Sequence, residues 1–199
     1  MSSAPTQERR QLELITPLGK DVLVLTAFSG SEEMSRLFSY SLQMLSEKDH
    51  IPPKDIVGKR VSFRVLLADD KERWFDGFVS RFTAGSRETG MRRYEAEVVP
   101  WLWFLTRTTD CRIFQNKSIP DIIEQIFGDL GFSDYEKSEI KGKHEPWEYC
   151  VQYRETDFDF VSRLAEQEGI FYYFRHEKNK HTLVLADGKT AYKDCPEKD

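Results

Sequence analysis

From Leu12 to about Leu105 the apolar residues recur with period two, the pattern of strands that bury one face. Phe38, Tyr40, Leu42 and Met44 fall on one side of such a strand, and Ser39, Ser41 and Gln43 on the other. Val61, Phe63, Val65 and Leu67 repeat the pattern, and the acidic Asp69-Asp70 followed by Lys71-Glu72-Arg73 leads into Trp74–Phe82 as a hairpin. The stretch Gly85-Ser86-Arg87-Glu88-Thr89-Gly90 is rich in turn formers and predicts a second hairpin, whose return strand alternates Tyr94, Ala96 and Val98 with polar neighbours. Pro52 to Gly58 predicts a short helical connector, with prolines at its start and glycine at its end. About six strands with no long helix among them predict a small antiparallel barrel or sandwich, and a barrel has the advantage of leaving no open edge.

Near Thr106 the sequence turns polar and the period changes. Ser118 is placed to cap a helix, with Pro120 and Asp121 in its first turn, an apolar face of Ile122, Ile123, Ile126, Phe127 and Leu130, and Gly131 as its stop. A second helix follows Thr156, whose hydroxyl can cap it while Asp157 and Asp159 sit near the positive end of the dipole. Phe158, Val161, Leu164 and Ala165 supply its stripe and Gly169 ends it. Ile170 to Phe174 predicts a buried strand that pairs with Thr182 to Leu185 across the polar turn from Glu177 to Lys180. The expectation is a mainly β chain in two domains. Residues 10–108 form an antiparallel β-barrel, and residues 109–199 form an α+β domain with two amphipathic helices and a β-hairpin. The polar tail from Asp187 to Asp199 is expected to be poorly held.

Composition narrows the function classes. A net charge of -5 over 199 residues argues against a nucleic-acid surface as the main business of the chain. Cys111, Cys150 and Cys195 are odd in number and irregularly spaced, which fits reduced thiols better than a disulfide scaffold or a zinc knuckle. Met1 to Arg10 is polar, without the apolar run of a signal peptide, and no segment approaches the roughly 18 apolar residues of a membrane span. A chain that is cytoplasmic when made is expected.

Candidate chemistry is sparse. Glu155, Asp157, Asp159, Glu166 and Glu168 could supply a general acid and base, but complementation of the helix dipole by Asp157 and Asp159 and a solvated helix face for Glu166 and Glu168 are the better reading. His176 and His181 flank the predicted turn and, with Cys150, could be drawn as a metal site; their spacing matches no zinc pattern, and exposed turn histidines are the plainer expectation. No GxSxG elbow, phosphate loop or dinucleotide fingerprint occurs, and no cofactor is expected. Trp101, Trp103 and Phe104 could stack bases or sugars, but are better read as packing where the two domains meet.

The stretch QYRETDFDFVSRLAEQEGIFYYFRHE, from Gln152 to Glu177, resembles the most characteristic segment of the VgrG spike family and its phage tail-hub relatives. Gln152, Tyr153, Thr156, Asp157, Phe158, Leu164 and Gly169 mark it as a structural motif. WLWFLTRTTDCRIFQNKSIPDIIEQIFGDLGFSDYE from Trp101 and PLGKDVLVLTAFSGSEEMSRLFSYSLQMLSE from Pro17 also resemble that family. The resemblance implies a non-catalytic hub of a contractile type VI secretion apparatus: a homotrimer that docks a spike on a hexameric tube and works with baseplate and effector proteins. Only the assembled spike would contact the target membrane. A three-fold ring can match a six-fold partner by internal duplication. The second barrel, neck and needle implied by the family lie outside these residues. Arg87, Arg92 and Arg93, around one predicted turn, are the candidate contact to the tube. A tail-associated cell-wall or carbohydrate hydrolase is the alternative from another class.

Overall fold

The structure of the protein is a computed structural model that describes residues 6–8, 10–88 and 90–192. It divides into two compact units: the first holds the residues up to Glu33, Leu37–Trp101 and His176–His181, and the second holds Met34–Arg36, Leu102–Arg175 and the residues from Thr182 onward.

The first unit is one antiparallel six-stranded sheet. Its strands are β1 (Leu12–Ile15), β2 (Val24–Ser31), β3 (Ser39–Ser46), β4 (Arg60–Leu66), β5 (Glu72–Glu88) and β6 (Met91–Val99), in the spatial order β1-β4-β5-β6-β3-β2. Alternation drives it, as the sequence predicts: Tyr40, Leu42 and Met44 of β3 and Tyr94, Ala96 and Val98 of β6 are buried, while the side chains between them face outward. The inner face is aromatic, with Phe28 of β2 4.9 Å from Phe63 of β4, and Phe63 stacked on Phe75 of β5. Contact between Phe28 and Phe63, from opposite ends of the strand order, shows that the sheet curls on itself.

The curl stops short of a hydrogen-bonded closure, because β1 and β2 are the two ends of the order. Gln7 fills the seam. Its side-chain oxygen accepts from the Leu14 N–H at 2.8 Å and the Leu25 N–H at 3.2 Å, and its amide nitrogen donates to the Leu14 carbonyl at 3.0 Å. The side chain is 4% exposed, and Asp21 fixes its backbone by accepting from the Gln7 N–H at 3.0 Å. The expected barrel is therefore a half-barrel sealed by one amide.

Two local expectations change. The turn predicted from Gly85 to Gly90 is mostly strand, since β5 runs to Glu88 and takes in Gly85 and Ser86 as an irregularity between Ala84 and Arg87. Leu67 is exposed, whereas Ser62 on the opposite parity of β4 is buried, because its hydroxyl donates to Asp76 at 2.6 Å.

In the second unit β7 (Thr109–Lys117) leads to α1 (Ile119–Asp129), β8 (Tyr135–Glu139), β9 (Trp147–Thr156) and α2 (Asp157–Gln167), and then to β10 (Phe171–Glu177) and β11 (Lys180–Ala186). The tip that joins β10 to β11 belongs to the first unit. Ser118 caps α1 by accepting from the Asp121 N–H, and Ile119, Ile122, Ile123, Ile126 and Phe127 are fully buried. Gly131 ends the helix at φ +78°, with the Phe132 N–H returning to the Phe127 carbonyl at 2.9 Å. Thr156 caps α2 by accepting from the Asp159 N–H at 3.0 Å. Its buried stripe is Phe160, Val161, Leu164 and Ala165, and Phe158 is only half-buried, so the predicted stripe is corrected by one aromatic.

Beyond the expected hairpin, the unit contains three strands that the polar run after Thr106 conceals. β8 joins β11 in parallel, and β7 pairs with β9 as a separate two-stranded ribbon. Asp187, expected to be loose, is anchored: it accepts from the Lys141 N–H at 2.8 Å and the Gly142 N–H at 2.7 Å. His144 completes this staple, its Nδ1 2.8 Å from Glu168 and its Nε2 3.1 Å from Asp187. Burial pushes the His144 pKa down, but hydrogen bonds to the two carboxylates outweigh it and leave the pKa raised.

Gln7→Leu keeps the bulk of the seam but strands the Leu14 and Leu25 amides, and should cost about 2–3 kcal/mol; a denaturant midpoint equal to wild type would show that the seam does not rely on this amide. A histidine whose folded pKa lies above its unfolded value of about 6.5 contributes stability that is complete below that pH and fades as pH rises through the folded pKa. The stability gap between wild type and His144→Ala should therefore shrink as pH rises above about 6.5, and a gap that grows with pH would contradict the charged staple.

Candidate interaction surface

The β7–β9 ribbon presents an inverted pattern. Arg112 and Phe114 of β7 stand opposite Gln152 and Cys150 of β9 on the inner face, and Phe114 stacks on Phe160 of α2 with ring centres 5.7 Å apart. Arg112 donates to the Gln152 side-chain oxygen at 2.9 Å and pairs with Asp157, and the Gln152 amide donates to the same carboxylate at 2.8 Å. Cys111, Ile113 and Gln115 stand opposite Tyr153, Val151 and Tyr149 on the outer face. Four of these are large and exposed, Ile113 by 67%, Tyr149 by 59%, Val151 by 48% and Tyr153 by 65%. The ribbon thus turns its buried charge inward and an uncharged, apolar and aromatic row outward, an arrangement that marks a surface made to be covered. Two strands alone are marginal in water, so packing of the inner face on α2 is what holds the row in place.

The residues singled out from the sequence fall into three groups. Gln152 and Asp157 form the buried polar joint under the ribbon, Tyr153 lies in its outer row, and Thr156, Phe158, Leu164 and Gly169 cap, flank, pack and end α2. Asp157, expected on dipole grounds alone, is 3% exposed and held by Arg112 and Gln152. Glu166 is exposed, but Glu168, expected on the solvated helix face, is half-buried and engaged by His144. Asp157, Asp159 and Glu168 are thus engaged by neighbouring groups of the fold.

Arg87, Arg92 and Arg93 lie on the β5–β6 hairpin, with Arg87 directly opposite Arg92 and Arg93 on the other face of β6. Arg87 is paired with Asp49 and also donates to the Gly90 carbonyl at 3.2 Å. Trp101 is buried in the first unit, while Phe104 stacks on Phe132 in the second. Cys111 is exposed, Cys150 is buried, and Cys195 lies outside the described residues.

The largest correction concerns the histidines. His176 and His181 are not exposed: His181 is fully buried and His176 nearly so. Both sit in the first unit against Asp76, a residue whose buried carboxylate no sequence pattern singled out. His181 donates from Nδ1 to Asp76 at 2.6 Å and accepts at Nε2 from the Trp101 N–H at 2.9 Å. Asp76 alternates with Phe75 along β5 and stands opposite Ser62, so period two puts it on the face away from Phe63 and Phe75 and gives no reason to expect it buried. Among the described residues no group of three or more His, Cys, Asp and Glu side chains is arranged to hold a metal, and no helix is long and apolar enough to cross a membrane.

Comparison with known proteins identifies the phage tail baseplate hub (GPD) family over residues 31–199. The type VI secretion system spike protein VgrG1b of Pseudomonas aeruginosa is 48% identical over 193 residues, which cover 97% of this chain and 26% of that protein. The actin cross-linking toxin VgrG1 of Vibrio cholerae is 31% identical over 189 residues, 90% of this chain and 17% of that protein. The chain spans about a quarter of the length of the curated Pseudomonas spike relatives it matches. Among solved structures, the E. coli c3393 protein superposes with a TM-score of 0.79 at 25% identity, over 92% of this chain and 51% of that one. It is described as a component of the type VI secretion system with structural similarity to the T4 tail proteins gp27 and gp5. The 43 kDa tail protein of prophage MuSo2 from Shewanella oneidensis shares the fold at a TM-score of 0.56 and 14% identity, over 82% of this chain and 52% of that one. With a family match reaching from β2 to the last residue, the chain belongs to the phage tail baseplate hub (GPD) family.

Proposed function

We propose that this chain is the hub-forming part of a type VI secretion spike and acts as a structural component. The observation that carries the proposal is the 48% identity to a secretion spike protein across 97% of the chain, together with a fold whose carboxylates are spent on structure. Three copies join into a hub that seats on the hexameric tube, engages baseplate and effector proteins, and leaves the cell when the sheath contracts. Synthesis is cytoplasmic. These residues carry no catalysis of their own; an enzyme activity such as the actin cross-linking in the name of the Vibrio cholerae relative belongs to other parts of such proteins.

Within this proposal the outer row of the ribbon is covered by another copy of the hub. Tyr149 and Tyr153, aromatic side chains that bury about 150–250 Å² each, join Ile113 and Val151 as the apolar centre of an interface between copies. Uncharged residues facing each other across Ile113, Val151 and Tyr149 suit a like partner, since no charge in the row has to be matched.

The native mass of the chain should rise with concentration toward a trimer, and Ile113→Asp with Val151→Asp should weaken that association at least about tenfold. A trimer unmoved by both charges would take the ribbon out of the interface, and a monomer at every concentration would show that these residues do not assemble by themselves. Reversal of Arg87, Arg92 and Arg93 to glutamate should weaken cosedimentation with the tube; unchanged tube binding would place that contact elsewhere.

A further inference from the structure

Within the first unit the segment His176–His181 is the one part contributed from beyond Trp101. Polar contacts bind it there. The Asn179 N–H donates to the Ser62 hydroxyl at 2.9 Å, and Arg60 donates to the Asn179 carbonyl at 2.7 Å. Asp76 is the centre. Its carboxylate accepts from Ser62 at 2.6 Å and from His181 Nδ1 at 2.6 Å, and its own N–H donates to His176 Nδ1 at 3.1 Å.

The two rings are therefore opposite tautomers. His181 carries its proton on Nδ1, because Nε2 accepts from the Trp101 N–H, and His176 carries its proton on Nε2, because Nδ1 accepts from the Asp76 N–H. Each has a backbone donor aimed at its bare nitrogen. A second proton on either ring would set N–H against N–H in a buried site, with ring centres 6.0 Å apart. The charged and titratable groups around the pair are Asp76 of β5, Arg60 of β4 at 4.0 Å from that carboxylate, Tyr40 of β3 and Glu32 after β2. Tyr40 lies 3.3 Å from His176 Nε2 and donates to Glu32, whose nearest oxygen is 3.7 Å from the same nitrogen. Asp76 is already shared by Ser62, His181 and Arg60, so it has little left with which to compensate an imidazolium charge on His181.

We infer that His181, seated between the Asp76 carboxylate and the Trp101 amide, is the acid-sensitive element of a latch that holds the 176–181 segment in the first unit at neutral pH and releases it when the His181 ring is protonated. Burial, outweighing the hydrogen bond to Asp76, lowers the His181 pKa from its ordinary value. A depressed histidine keeps the closed form favoured above about pH 6.5 and loses that advantage as pH falls toward the folded pKa, by about tenfold per proton and pH unit. The His144 staple of the second unit has the opposite sign, so acid acts on the latch and spares the staple.

The test is ring-nitrogen NMR of the two histidines with amide exchange, from about pH 7.5 to about pH 4.5. At neutral pH the rings should report opposite tautomers. On acidification the protection factors of the Trp101, Asp76 and Asn179 amides should fall together at least about tenfold per pH unit, while the Leu14 and Leu25 amides at the Gln7 seam stay protected. Protection retained at Trp101 after His181 has titrated would overturn the latch, as would loss only with global unfolding of the first unit. His181→Gln with His176→Asn, each placing an unprotonatable acceptor near the bare nitrogen, should abolish the acid response. If that double variant does not fold, the wild-type exchange decides by itself.

Discussion

A curled sheet whose end strands never pair must still satisfy the backbone groups along those strands, and in the first unit this falls to the Gln7 amide. Three hydrogen bonds from one buried side chain let β1 and β2 approach without a register between them. The aromatic interior of Phe28, Phe63 and Phe75 depends on that approach, because it draws on strands from both ends of the order. The same economy recurs in the second unit, where Asp157 is tolerable inside only because Arg112 and Gln152 meet it. Side chains here complete what the ladders leave open.

Strand alternation and helix caps were legible in the sequence because they are local. β3 and β6 show a clean period of two, and Ser118 and Thr156 stand directly before apolar stripes with glycine beyond them. What escaped was non-local or inverted. β7 and β9 carry Arg112 and Gln152 inward and Ile113, Val151, Tyr149 and Tyr153 outward, so a rule that seeks an apolar inner face reads the run as polar connection. Asp76, His176 and His181 are about a hundred residues apart in part, and nothing short of the fold pairs them. Histidines beside a polar turn look exposed until the turn is seen to be held against Asp76, Ser62 and Arg60.

Several carboxylates of the second unit are engaged in holding the fold together. Catalytic carboxylates need an environment that drives their pKa values apart within reach of a ligand. Here Asp157 serves a joint, Asp159 a cap, Glu168 and Asp187 a staple, each with its partners at hydrogen-bonding distance. Rigid connection is what these bonds provide.

The placement of residues 176–181 in the first unit also sets the order in which the chain can be finished on the ribosome. Asp76 emerges long before His181, so a nascent first unit must hold a buried carboxylate without its imidazole partner, or keep that corner of the sheet open. At about 5–20 residues per second the delay between Trp101 and His181 lasts several seconds. The unit that begins first is thus completed among the last, with the corner around Asp76 and Ser62 the part that waits.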